Sequence, residues 1–264
     1  MKKACFVCPL LLFAITALAQ NNFVYTNDNF SPNTVSVFKV SPSNGALTLI
    51  PGSPFLTGGN GGAHDVGPQT ITTATLGTKS FLYAANAGSG SISALAIDPR
   101  TGNLTAVPGS PFTVAAANSG NTLSLGASPD GHFLFEVDES STLIHTFNIS
   151  LTGALAETAG SPFDSGAFPE GVKVTANGKF LAVGLKSMDA VGVYAIDASG
   201  SLTPVFGSPF ITNGPADGVD ATCASNRVYV SSAGSDLIDA FVMAADGSLT
   251  PVPGSPFPSG GTST

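Results

Sequence analysis

The sequence predicts an all-β chain folded as a β-propeller, and three observations predict it. One stretch recurs five times: Gly45, Gly102, Gly153, Gly200 and Gly247 each precede a leucine by two residues and the glycine of a Gly-Ser-Pro-Phe by seven. Those Gly-Ser-Pro-Phe glycines, at 52, 109, 160, 207 and 254, stand 57, 51, 47 and 47 residues apart, a period suited to one multi-stranded unit per repeat. Between them lie short β-branched and aromatic runs punctuated by Gly, Pro, Asn and Asp, with no helical period after residue 19. Four antiparallel strands per repeat make the blades of a propeller. A sandwich need not keep one period, and a parallel solenoid has shorter repeats.

Residues 1–19 read as a secretory signal peptide: Lys2 and Lys3, an apolar run over 5–18 interrupted by Pro9, and Ala17-Leu18-Ala19 before Gln20. The run is short for a membrane span and lacks the small residues before a cysteine that lipid attachment needs, so the expectation is an exported chain without stable membrane insertion. Residues 20–264 then form one propeller domain, with blades at about 21–60, 61–118, 119–166, 167–213 and 214–260.

The first blade supplies strands over 23–27, 34–40 and 46–50 and lacks an inner strand. The second has all four, over 70–76, 81–85, 91–98 and 103–107. The third repeats them over 122–127, 133–137, 143–149 and 154–158, with Ser128-Pro129-Asp130-Gly131 as the turn between its first two. Strands over 171–175, 180–184, 190–197 and 201–206, turned by Asn177-Gly178, make the fourth, and 218–222, 227–231, 236–243 and 248–252 the fifth. Gly-Ser-Pro-Phe is expected to end each outer strand. Phe38, Leu95, Phe147, Tyr194 and Phe241 hold one place in each third strand, where blade-to-blade packing needs bulk.

Composition narrows the function. With 31 glycines, 19 prolines and only 10% charged residues, the chain is built for turns rather than salt-bridged helices. Beyond the signal, 7 basic residues face 17 acidic ones, a formal charge of −10, which disfavours nucleic acid and anionic lipid as partners. Cys223 is the one cysteine left, so no intramolecular disulfide is expected. Cys/His metal spacing, a phosphate loop and a Gly-x-Ser-x-Gly elbow are absent from the sequence, and neither metal nor cofactor is expected.

The runs Phe23-Val24-Tyr25-Thr26-Asn27 and Phe81-Leu82-Tyr83-Ala84-Ala85-Asn86, the Ser-Pro-Asp-Gly at 128–131 and the Gly-x-Leu to Gly-Ser-Pro-Phe unit together resemble the lactonase-type β-propellers. These are relatives of bacterial 6-phosphogluconolactonase and of the Tyr-Val-Thr-Asn repeat proteins. The resemblance covers the chain from about Asn22 onward and rests on blade-building residues. It implies a seven-bladed ring, of which five units stand here, so the blades form either an incomplete ring or a closed five-bladed one. An open arc would leave the edge at 23–27 unpaired and prone to aggregation.

It also implies a channel site for lactone hydrolysis. Eight residues before the first turn glycine, the enzyme-like relatives carry a histidine; here Gly178 gives Glu170, the 47-residue shift gives Asp217, and the third blade has Leu123. Glu170 and Asp217 are the candidate catalytic residues, expected side by side at the inner rim, each before a glycine that lets the backbone approach the axis. One of two facing carboxylates keeps its proton more readily, as acid–base work requires. His64, Asp138, Glu139, Lys173 and Lys186 are candidate ligand-binding residues. His132 and His145 read as turn and strand residues, and Arg100 and Arg227 fall away from the channel. Two functions stay open: an exported hydrolase of a small lactone or carbohydrate ester, and a non-catalytic propeller that binds a ligand, a cell-surface glycan or a protein.

Overall fold

The structure, a computed structural model, describes residues 22–62, 69–114 and 123–260. The signal segment and His64 lie outside them. The described residues form five antiparallel sheets joined in chain order, with two single 3-10 turns, Ala87–Ser89 and Lys186–Met188, as their helical content. The fourth blade shows the plan: Pro169–Val174 inside, then Phe180–Leu185, Ala190–Ile196 and an outer strand in two pieces, Leu202–Pro204 and Phe210–Ile211, both paired with the third strand. The first blade has only Phe23–Asn27, Thr34–Val40 and the two outer pieces.

The broken outer strand corrects the expectation that Gly-Ser-Pro-Phe is a terminus. The proline, preceded by a cis bond in all five copies, has no N–H for the ladder. The serine hydroxyl fills in for the ladder: Ser53, Ser110, Ser161, Ser208 and Ser255 Oγ accept the third-strand N–H of Val37, Ala94, Thr146, Val193 and Ala240 at 2.8–2.9 Å. Pairing then resumes at the phenylalanine. Fixed spacing thus reflects one side chain replacing one backbone bond, five times over.

Each hydrophobic cluster is shared by two consecutive blades. Val35 and Val37 pack with Leu82 and Leu95; Tyr83 and Ile92 with Leu125 and Phe147; Phe135 and Ile144 with Val172 and Tyr194; Val191 and Val193 with Val219 and Phe241. The bulky third-strand residues of blades two to five, Leu95, Phe147, Tyr194 and Phe241, all face the preceding blade. The turn glycines lock the same joints: a Cβ on Gly102, Gly153, Gly200 or Gly247 would run into the ring of Phe23, Phe81, Phe133 or Phe180 of the blade before.

The two ends of the array have no such cover. Gly45 has open space where its counterparts meet a ring. Val24 and Leu47 on the first blade are 38% and 53% exposed, whereas their counterparts in the second blade, Leu82 and Leu104, are buried. On the fifth blade Tyr229 stands half-exposed where the fourth blade buries Ala182. The described blades form an open arc rather than a closed five-bladed ring.

Candidate functional site

The inner strands of blades four and five begin two residues earlier than their sequence pattern suggests, at Pro169 and Ala216, and so take in Glu170 and Asp217. Both strands slip register there, between Pro169 and Val172 and between Ala216 and Val219, while the inner strands of blades two and three pair evenly. A bulge re-aims the side chain at its crest. Glu-Gly and Asp-Gly supply it, and the glycine is required by space: a Cβ on Gly171 would overlap the Asp217 carbonyl of the next blade. The two carboxyls therefore meet across the blade joint, where a hydrogen bond with Asp217 bears on Glu170.

Lys186 completes the group. It follows the second strand of blade four, as Glu139 follows that of blade three, and its Nζ lies 2.7 Å from Glu170 Oε2 and 3.6 Å from Glu139 Oε1. Glu170 is 8% exposed, and Lys186 keeps about a third of its side chain in solvent. Burial raises the Glu170 pKa first, the hydrogen bond and charge of Asp217 add to it, and Lys186 opposes them; the result is about 7. Burial works against the Lys186 ammonium, but Glu170, Glu139 and Asp217 outweigh it and hold its pKa above the usual lysine value. One carboxyl thus exchanges its proton near neutrality beside a fixed cation.

The other candidates lie elsewhere. Asp138 is buried, and its Oδ1 accepts from the Ser140 N–H and hydroxyl, which ties down its own loop. Lys173 pairs with Asp220 at 2.7 Å in a separate groove of about 400 Å³ on the open side of blade five, with Gln69, Tyr229 and Ile238. Neither Glu170 nor Asp217 lines that groove. His132 sits at its turn beside Asp130, and His145 is buried with Nδ1 2.7 Å from Glu157. No group of three or more potential metal ligands occurs among the described residues.

Gln69 is the inner-rim residue that sequence reasoning missed. It stands eight residues before Gly77, the same count that finds Glu170 before Gly178. Its backbone carbonyl accepts from Leu125 in blade three, its Oε1 from the Val172 N–H in blade four, and its Nε2 donates to the Val219 carbonyl in blade five. One residue therefore ties together the inner strands of three blades, through its backbone carbonyl in blade three and its side-chain amide in blades four and five.

No family model matches the chain, and no curated protein matches it in sequence. Solved structures do match in shape. The periplasmic gluconolactonase PpgL of Pseudomonas aeruginosa superposes with a TM-score of 0.70 at 18% identity, over 92% of this chain and 70% of that one. A Lactobacillus plantarum protein gives 0.66 at 23% over 87% and 67%, and a candidate 6-phosphogluconolactonase from Bacteroides uniformis 0.67 at 17% over 87% and 66%. The chain spans about two thirds of the length of these proteins. At such identities the likeness is one of architecture, and the fold is that of a lactonase-like β-propeller.

Proposed function

We propose that the chain is an exported hydrolase of the lactone type, acting on a small sugar lactone or related ester at Glu170, Asp217 and Lys186. One observation carries the reading: a carboxyl whose pKa is about 7 lies at the inner rim between a second carboxyl and an ammonium. In this scheme ionised Glu170 takes a proton from water as the water oxygen bonds to the lactone carbonyl carbon. Lys186 faces the oxyanion that forms. The ring C–O bond then breaks, and its oxygen takes the proton back from the Glu170–Asp217 pair, which restores the starting state. The channel-rim position, the resemblance to lactonase-type propellers and the shape shared with a periplasmic gluconolactonase support this scheme. The signal-like residues 1–19 support export, and no helix among the described residues is long and apolar enough to cross a membrane.

The test is hydrolysis of simple sugar lactones by the native chain and by Glu170→Gln. A carboxylate base that acts in general catalysis contributes about 10²–10⁴-fold, so the variant should fall by that factor. Equal rates at the uncatalysed background would leave a propeller that binds without turning over. Lys186, already committed to Glu139 and Glu170, would then act as a staple across blades three and four.

A further inference from the structure

Equivalent places in three successive blades are bonded to one residue. Leu125, Val172 and Val219 stand 47 residues apart, each in the inner strand of its blade. Gln69 meets all three: its backbone carbonyl accepts from the Leu125 N–H at 2.7 Å, its Oε1 accepts from the Val172 N–H at 2.7 Å, and its Nε2 donates to the Val219 carbonyl at 2.9 Å. An inner strand is paired on one side only, so backbone groups turned away from that partner face the channel. Gln69 stands two residues before the inner strand of blade two, Ile71–Leu76, whose neighbours are blades one and three. A side chain that starts there and reaches blades four and five crosses the channel, close to the axis about which the blades repeat.

Val172 and Val219 are also the residues at which the two bulges end. Glu170 and Asp217 each lie two residues earlier, about 7 Å along the strand. Blade five braces its bulge from the second strand as well: Ser231 Oγ accepts from the Gly218 N–H at 2.9 Å and donates to the Gly218 carbonyl at 3.4 Å. Blade four has Gly184 at that place, where a Cβ would meet the Ala216 and Asp217 carbonyls at 2.9 and 3.0 Å. No side chain can brace the Glu170 bulge from there, and the bond from Val172 to Gln69 holds it from the channel.

The structure assigns Gln69 the part of a positioning residue: its side-chain amide pins the ends of both bulges to one point near the axis and so fixes how closely Glu170 and Asp217 approach. The inference rests on the reading of those two carboxyls as the working pair. Three charged groups surround Glu170: Asp217 across the joint, Lys186 after the second strand of its own blade, and Glu139 of blade three, which shares Lys186 with it. Lys186 belongs to the same blade as Glu170, whereas Asp217 is held opposite it by the joint that Gln69 spans. Releasing the bulges therefore parts the two carboxyls and lets water in beside Glu170, and both changes ease the loss of its proton.

The test is the carboxyl titration of Glu170 followed by NMR, which needs no turnover, so that a failure of lactone hydrolysis bears on the proposed function alone. Gln69→Met keeps the volume and removes both side-chain bonds. The Glu170 midpoint should fall from about 7 by roughly one pH unit or more. Exchange of the Val172 amide, slow in the native chain, should rise roughly tenfold or more. Ser208→Ala weakens the outer strand of the same blade without touching the bulge, and should leave the midpoint in place. A midpoint that folded Gln69→Met leaves unchanged or raises, or an equal fall in Ser208→Ala, would overturn the proposal. Where Gln69→Met does not fold, the native chain decides: a Val172 amide that exchanges freely there would overturn it as well.

Discussion

Glu136→Val should stabilise the protein, and increasingly so as pH rises. Glu136 lies in the second strand of blade three, fully buried, with neither carboxyl oxygen hydrogen-bonded. It faces blade two opposite Leu125 and His145. Burial first, then the charges of Asp138 and Glu157, lifts its pKa well above the ordinary carboxylate range. Blades two, four and five bury Ala84, Val183 and Val230 at the same place. An unpaired buried carboxylic acid costs about 1–3 kcal/mol by mutational measures, and the smaller valine returns about 1 kcal/mol of that as lost contact.

The pH term has a definite sign. The folded chain holds the proton while the unfolded chain releases it, so stability is greatest below the unfolded pKa and falls as pH rises toward the folded one. A single proton contributes a slope of at most about 1.4 kcal/mol per pH unit, and only between the unfolded and the folded pKa. Glu170 contributes a slope of the same sign in both proteins and cancels in the difference. Urea or thermal unfolding of the two at pH 5, 6 and 7 should show the gap in stability and in Tm widening as pH rises. A Val variant no more stable than the native chain, or a gap independent of pH, would refute the reasoning.

Further perturbations follow from the joints and the site. Gly153→Ala and Gly45→Ala both place a side chain at positive φ, but only Gly153 has Phe81 in the way, so Gly153→Ala should cost about 1–3 kcal/mol more in urea unfolding. Ser208→Ala strips the Val193 N–H of its partner and should cost about 1–3 kcal/mol, with deuterium exchange at Val193 rising in step. Lys186→Met removes the group that lowers the Glu170 pKa, so the midpoint of carboxyl titration followed by NMR should move above about 7.

Much of the fold was legible because it repeats. Period, turn glycines and the bulky third-strand residues are local signals copied five times, and in blades two to five the turn glycine and the bulky residue both sit at a blade joint. The role of Gly-Ser-Pro-Phe was not legible, since a proline reads as a stop unless one knows that the serine hydroxyl stands in for the missing ladder bond. In the site, repeat register alone brought Glu170 and Asp217 together. Lys186 and Glu139 were visible only as scattered charges after second strands, because their meeting depends on how adjacent blades lean. Gln69 was within reach of the same count of eight. A neutral amide carries no sign of chemistry, and its bonds run to blades more than 100 residues away. Glu136 was readable as an acid inside an apolar strand, Leu-Phe-Glu-Val, but not as one without a partner.

The most direct measurement of the central claim is the pH–rate profile of sugar-lactone hydrolysis for the native chain and Asp217→Asn. Glu170 must be ionised to act as base, so the native rate should rise through a midpoint near 7, where burial and Asp217 hold its pKa. Asp217→Asn removes a neighbouring charge and offers an amide donor to the carboxylate, so the midpoint should fall toward the ordinary glutamate range while the reaction persists. A rate at the uncatalysed background in the native chain, or a midpoint that Asp217→Asn leaves in place, would contradict the account.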